Sequence, residues 1–141
     1  EVPGSSAAYP LALISPPARN FLNSTFVNVK SLRTIEGRPL LEMHPDDAAA
    51  RGIADGSTVR VFNDRGSYEC HAEVSTRARP GVVNGLGIWW RKLGLNGTNV
   101  NEVTSQALTD LGRAPTFYDC LVVVQTCHAA AGAATAAEIT A

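Results

Sequence analysis

The chain has 141 residues, of which 45% are hydrophobic and 18% charged, so it can bury one core and is too apolar to be a disordered protein. Its formal net charge of -1 gives no sign of binding to nucleic acid or to a membrane surface. No apolar run approaches the roughly 20 residues that span a bilayer, and the N-terminal segment lacks the charged and apolar regions of a signal peptide.

Composition divides the chain into three parts. Residues 1–8, rich in Pro, Gly and Ser, are predicted to be a flexible linker, residues 9–126 a folded domain, and residues 127–141 an Ala-rich tail. Strands are predicted at 11–15, 40–43, 57–63, 67–76, 82–86 and 119–126. Short strands with long connections indicate a mainly β domain, a small barrel with one or two short helices.

The clearest helix is predicted at residues 45–51. Pro45 suits the first helical position, which needs no amide donor, and His44 is expected to cap the helix. Gly52 is expected to end it with a positive φ.

A β-hairpin is predicted around the turn at residues 63–66. Apolar and polar residues alternate along both flanking strands, as expected when one face is buried and the other faces water. Gly66 is expected to adopt a positive φ in this turn. Residues 120–125 (CLVVVQ) form a continuous apolar run that is typical of a strand covered on both faces.

The three cysteines, Cys70, Cys120 and Cys127, show neither the spacing of a zinc site nor that of a disulfide framework. This pattern favours a reducing, cytoplasmic compartment, whereas an export signal upstream would direct the protein to the periplasm. Cys70 is expected to be a small core residue. No catalytic residues and no metal ligands are predicted, because no motif for nucleophilic, phosphate-loop or metal chemistry is present.

Acidic residues are unevenly distributed. Residues 2–35 and 74–101 contain none, whereas eight of the 13 lie between Glu36 and Glu73. If the two acid-free stretches meet, their surface would suit an anionic ligand. Both contain loops rich in Asn, Ser and Thr, which bind heterocycle edges and phosphates but are also ordinary turn residues. Trp89 or Trp90 could pack on a flat ring.

Four segments follow one another in a recognisable order: LALISPPARNFLNSTF from residue 11, LLEMHPDDAAARGIADGSTVRVFNDRG from residue 40, PGVVNGLGIWWRKLGLNGTNVNEVTS from residue 80 and PTFYDCLVVVQ from residue 115. The runs Met43–Val61 and Asn99–Ser105 are the most specific. Together the segments resemble the C-terminal molybdopterin-dinucleotide-binding domain of the dimethyl-sulfoxide-reductase (molybdopterin oxidoreductase) family, which includes formate dehydrogenases and nitrate reductases.

The resemblance implies a double-psi β-barrel, as in aspartate decarboxylases, that closes over a molybdopterin guanine dinucleotide held mainly by upstream domains. Molybdenum or tungsten, and any iron–sulfur cluster, would belong to those domains, so no activity is expected of this chain alone. The cofactor-binding residues that the resemblance implies are Ser15, Asn20, Asn23, Ser24, Thr25, Trp89, Asn101, Thr104 and Tyr118. Relatives often have Thr-Gly-Arg and a His in the first loop; this chain has Ser15-Pro16-Pro17 and Asn23 there.

Two other interpretations stay open. A stand-alone barrel enzyme of the aspartate decarboxylase type would need a self-processing Gly-Ser pair at a strand end, and Gly56-Ser57 is predicted to lie in a turn. A structural or assembly domain would contact partners and no cofactor. If the cofactor interpretation is right, residues 15–25, residues 89–104 and Tyr118 should share one polar, carboxylate-poor end of the barrel.

Overall fold

The computed structural model describes residues 7–118 and 120–127 and contains six strands that close into a barrel in the order β1-β5-β2-β4-β3-β6. The strands are β1 (Leu11–Ile14), β2 (Leu40–Met43), β3 (Thr58–Phe62), β4 (Ser67–Val74), β5 (Val82–Leu86) and β6 (Leu121–Thr126). The predicted mainly β barrel is confirmed, with each strand boundary within two residues of its prediction. Residues 1–6 of the predicted linker and 128–141 of the predicted tail lie outside the described residues.

The barrel combines parallel and antiparallel pairs. β1 runs parallel to β5, with Ala12 opposite Val82, and β2 runs parallel to β4, with Leu41 opposite Ala72. The other four pairs, β1–β6, β2–β5, β3–β4 and β3–β6, are antiparallel. Consequently β1, β3 and β5 end, and β2, β4 and β6 begin, at the same end of the barrel.

The barrel core follows from the alternation of side chains along each strand. Its fully buried members include Leu11, Leu13, Leu41, Met43, Val59, Val61, Cys70, Val83, Val122 and Val124. The prediction for Cys70 is therefore confirmed. The prediction that β6 is covered on both faces is wrong, because Leu121 and Val123 are only half-buried on its outer side.

Helix α2 (Pro45–Ala49) lies between β2 and β3 and begins as the sequence predicts. Pro45 occupies the first turn, and His44 Nδ1 accepts a hydrogen bond from the Asp46 backbone N–H at 3.2 Å. Gly52 has a φ of 62°. The helix is two residues shorter than predicted, because Ala50 and Arg51 belong to the turn that follows it.

Helix α1 (Lys30–Glu36) was not predicted. It buries no residue and has no side-chain cap at Val29, so it shows neither an apolar stripe nor a start signal in the sequence. Two 3-10 turns, Arg91–Leu93 and Val100–Glu102, also interrupt the predicted loop after β5. No helix among the described residues is long and apolar enough to cross a membrane.

The prediction of a positive φ at Gly66 is wrong. Within residues 7–118 and 120–127, the glycines with positive φ are Gly37, Gly52, Gly56, Gly81, Gly87 and Gly97. The small size of Gly66 serves a different purpose: a Cβ there would lie 2.7 Å from the backbone oxygen of Glu102. The β3–β4 turn can therefore approach the 3-10 turn at Val100–Glu102 only because residue 66 lacks a side chain.

Candidate functional site

Three connections meet at one end of the barrel: residues 15–39 between β1 and β2, residues 63–66 between β3 and β4, and residues 87–120 between β5 and β6. We call these connections the loop end. The strand directions bring all nine of the predicted site residues to it, although they lie up to 103 positions apart in the sequence. The opposite end carries α2 and the shorter β4–β5 connection.

A tight turn in the first connection presents polar side chains to solvent. The backbones of Leu22 and Thr25 exchange hydrogen bonds of 3.1 and 2.8 Å, and Asn23 has a φ of 53°. Asparagine tolerates this left-handed conformation better than most residues. The side chains of Asn23, Ser24 and Thr25 are exposed and make no hydrogen bond with other described residues. They are therefore available to a ligand.

Backbone and indole hydrogen bonds hold this turn against the segment after β5. The backbone N–H of Gly87 donates to the Pro16 oxygen at 2.9 Å, and that of Ile88 to the Asn23 oxygen at 3.4 Å. Trp90 Nε1 donates to the Ser24 oxygen at 2.7 Å. The sequence prediction missed this role of Trp90, because a hydrogen bond across 66 positions leaves no local pattern.

A second, smaller core lies beneath these loops, outside the barrel. It consists of Ala18, Phe21, Val27 and Trp89, all buried. The Phe21 and Trp89 rings meet edge to face with centroids 5.1 Å apart, a contact worth about 0.5–1.5 kcal/mol beyond its area. Trp89 is only 4% exposed, so the prediction that it packs on a flat ligand ring is wrong. Its side chain supports the loops from below instead.

Asn101 and Thr104 form the second polar element of the loop end. Asn99 Oδ1 accepts from the Asn101 backbone N–H at 3.0 Å, while Asn99 Nδ2 donates to the Trp89 oxygen at 2.9 Å. The Thr104 hydroxyl is buried and donates to the Asn101 oxygen at 3.3 Å. The Asn101 side chain is exposed and unbonded within the described residues. Asn101 thus faces outward, whereas Thr104 shapes the turn.

Asn63 anchors this element to the barrel. Its buried Nδ2 donates to the backbone oxygens of Val103 at 2.9 Å and Leu121 at 3.1 Å. Its Oδ1 accepts from the Arg65 backbone N–H at 2.9 Å. The Cys120 thiol also donates to the Val103 oxygen, at 3.2 Å. The sequence identified residue 63 only as part of a turn.

The predicted carboxylate-poor end still contains carboxylates, two of which lie close to the predicted site residues. Glu36 Oε2 accepts from both the backbone and the side-chain amide of Asn20, at 3.0 and 2.7 Å, so Asn20 is already engaged. Glu102 pairs with Arg91. The charge balance nevertheless favours an anion. The loop end carries eight of the 12 Lys and Arg residues and five of the 13 Asp and Glu residues.

Tyr118 lies at the loop end and packs against its neighbour Phe117. It is 51% exposed, and its ring centroid is 4.3 Å from that of Phe117. Ser15 follows β1 directly and is half-buried, with no hydrogen bond from its side chain to the described residues. The predicted set therefore divides into free polar groups (Ser15, Asn23, Ser24, Thr25, Asn101), engaged or buried supports (Asn20, Trp89, Thr104) and the exposed Tyr118.

The described residues offer little support for a metal site or for a reactive cysteine or serine. They contain no cluster of three His, Cys, Asp or Glu side chains that could hold a metal ion. Burial raises the pKa of the Cys70 thiol to about 12, so it stays protonated and unreactive at neutral pH. Ser57 lies at the opposite end of the barrel, where its hydroxyl donates to the Ala54 oxygen at 2.7 Å.

The family model described as "Molydopterin dinucleotide binding domain" matches residues 11–121, which include all six strands at least in part. The chain belongs to the molybdopterin dinucleotide binding domain family. This family binds molybdopterin dinucleotide in enzymes of the dimethyl sulfoxide reductase type, so the resemblance found in the sequence is confirmed.

The curated relatives of this molybdopterin dinucleotide binding domain include reductases. It is 36% identical to dimethyl sulfoxide reductase DmsA of Escherichia coli over 83% of this chain and 15% of that protein. It is 38% identical to the respiratory nitrate reductase subunit alpha of Haloferax mediterranei over 59% of this chain and 8% of that protein. The chain thus spans less than a fifth of these relatives.

A solved structure shares the fold. Acetylene hydratase from Pelobacter acetylenicus superposes with a TM-score of 0.74 at 20% identity, over 84% of this chain and 18% of that one. At this identity the match supports the architecture alone.

Proposed function

We propose that the loop end covers one side of a molybdopterin guanine dinucleotide bound mainly by other domains of a longer oxidoreductase. The observation that carries this proposal is that Asn23, Ser24, Thr25 and Asn101 lie at the same end of the barrel, with side chains that are exposed and free of hydrogen bonds to other described residues. Family membership supports a molybdopterin dinucleotide as the cofactor, and the guanine base is part of the proposal. We also propose that the barrel is of the double-psi type, for which its two parallel strand pairs within a closed six-stranded sheet are support.

The donor set fits such a cofactor. Amide side chains carry both donors and acceptors and can pair with a heterocycle edge that presents both, while hydroxyls can donate to phosphate oxygens. The surplus of basic residues at this end favours the negative charge of a pyrophosphate. The charge of Glu102 is compensated by Arg91, so this carboxylate repels an anion less than a free one would, and Glu36 is held by hydrogen bonds from Asn20.

The role of each residue follows from its burial. Asn23, Ser24, Thr25 and Asn101 would bind the cofactor directly, as would Ser15 at the end of β1. Supports beneath them, such as Trp89 and Thr104, would hold the loops in place before the ligand arrives, which reduces the entropy lost on binding. The bound cofactor would supply the redox chemistry of molybdenum or tungsten. This chain would orient it and exclude water from one side.

The test is the cofactor content of the full-length enzyme. Asn101→Ala and Asn23→Gly each remove one of the two exposed side-chain amides. Glycine at position 23 also accommodates the positive φ of that residue. Losing one hydrogen bond to a charged or polar ligand group costs about 1.5 kcal/mol, which is roughly a tenfold loss of affinity. Metal analysis and fluorescence of the released, oxidised pterin measure the content.

A matched pair of variants provides the control. Thr25→Ala removes a hydroxyl at the loop end, and Thr76→Ala removes an exposed one at the opposite end. We expect Thr25→Ala to lower cofactor content and Thr76→Ala to leave it unchanged. Full cofactor content in Asn101→Ala, Asn23→Gly and Thr25→Ala together would refute the proposed site and favour an assembly domain without cofactor contact.

A further inference from the structure

Exposed apolar side chains are concentrated at the loop end. The large hydrophobic residues that the described part of the chain leaves exposed are Ile14, Leu22, Phe26, Val29, Ile35, Leu108, Leu111, Phe117 and Tyr118. All belong to the β1–β2 or β5–β6 connection except Ile14, which is the strand residue that leads into the first of them. Apolar side chains that gather on one side of a soluble domain mark an interaction surface.

Four of these residues lie on residues 106–118, which we call the arm. The arm folds on itself: the Thr109 backbone N–H donates to the Ala114 oxygen at 2.9 Å, and the Thr116 N–H to the Ala107 oxygen at 3.2 Å. An isolated bridge joins Leu108 to Pro115. Every residue from 106 to 115 is exposed, so the arm contributes little to the barrel core.

The arm has apolar side chains and hardly any charge. Leu111 is 94% exposed and Leu108 is 53% exposed, while Phe117 and Tyr118 pair at its base. Asp110 and Arg113 are its only ionisable groups besides the Tyr118 phenol, and their charges cancel. Burial of such an apolar surface against another protein surface is favourable. The arm has no cluster of basic residues that would bind nucleic acid or anionic lipid.

We propose that the arm docks into an apolar recess on another domain of the longer oxidoreductase, and that Tyr118 contacts this domain and not the cofactor. The inference rests on the proposed function. The recess belongs to another domain of the same polypeptide, because these two relatives are more than five times longer than this chain. The arm also leaves the barrel at the loop end, where those domains would hold the cofactor.

Cleavage at Arg113 tests the proposal. Arg113 lies at the exposed tip of the arm, where trypsin should cut the isolated chain quickly. In the full-length enzyme we expect cleavage after Arg113 to be at least tenfold slower, with fragments identified by mass spectrometry. The variant Leu111→Asp should restore rapid cleavage, because a buried carboxylate opposes docking. Thr76→Asp places the same charge at the opposite end and should leave the protection intact.

The outcomes separate this inference from the proposed function. Protection of Arg113 in enzyme produced without cofactor supports docking by the arm, whatever the result of Asn101→Ala on cofactor content. Cleavage in the full-length enzyme at the rate of the isolated chain overturns the inference, and so does full protection in Leu111→Asp. Protection of Arg113 in the isolated chain that increases with protein concentration would also overturn the inference, because the arm would then dock against a second copy of this chain.

Discussion

The variant Asn63→Ala should destabilise the chain more than any other single amide truncation at the loop end. Asn63 is 9% exposed and connects three segments, because it bonds the Val103 and Leu121 oxygens and the Arg65 N–H. A hydrogen bond contributes about 1 kcal/mol net, and a buried group left without its partner costs about 1–3 kcal/mol. The Val103 oxygen keeps the Cys120 thiol as a donor, which limits the loss. We expect the free energy of unfolding to fall by about 3 kcal/mol.

Urea denaturation measures this change, followed by tryptophan fluorescence for the loop end and by far-ultraviolet circular dichroism for the barrel. The matched control is Asn28→Ala, an exposed amide with no hydrogen bond to the described residues, which should change stability by less than about 0.5 kcal/mol. Asn63→Asp keeps the shape and the acceptor but replaces the Nδ2 donor with an oxygen that faces the Val103 and Leu121 oxygens. It should therefore lower the free energy of unfolding at least as much as the alanine variant. A loss below about 1 kcal/mol in Asn63→Ala would refute the anchoring role.

Two further predictions concern stability. Gly66→Ala should cost about 1–3 kcal/mol in chemical denaturation, because its Cβ would meet the Glu102 oxygen at 2.7 Å. Gly112→Ala, whose nearest neighbour would be 3.6 Å away, is the control, and equal effects would contradict the steric argument. Burial and the nearby Arg38 lower the pKa of His71 below its usual 6.5, so its stabilising contribution is complete above that value and is lost as the pH falls below it. His71→Gln should therefore reduce the loss of stability between pH 7.5 and 5.5, and an unchanged loss would rule out this contribution.

The strands could be predicted because the alternation of apolar and polar residues that marks them lies within a few neighbouring positions of the sequence. Alternating residues on β3 and β4 encode one buried face, and the proline, aspartates and glycine around α2 encode its start and end. Helix α1 has no such local pattern, since none of its residues is fully buried and the Val29 side chain does not cap it. It is held in place by the folded chain, through contacts such as Asn20 with Glu36.

The candidate site was only partly predictable, because its geometry depends on long-range contacts. The polar loops were identified by composition and by family resemblance, and the strand directions bring them to one end. The sequence could not indicate that Trp89 is buried against Phe21, or that Glu36 reaches Asn20 from outside the acid-free stretch. The position of a carboxylate in the sequence does not show which loop it approaches in the fold. The loop end therefore includes Glu36 beside Asn20, together with more basic than acidic residues.

Closure of the sheet determines how this domain can associate with a neighbour. Each of the six strands pairs on both sides, so the described barrel offers no free edge on which another chain could add a strand. Contacts with other domains must therefore be made by side chains and loops, through surfaces that can separate without breaking the backbone ladder. A domain attached in this way can be displaced as a rigid body, and its release would not expose the unpaired strand that commonly seeds aggregation.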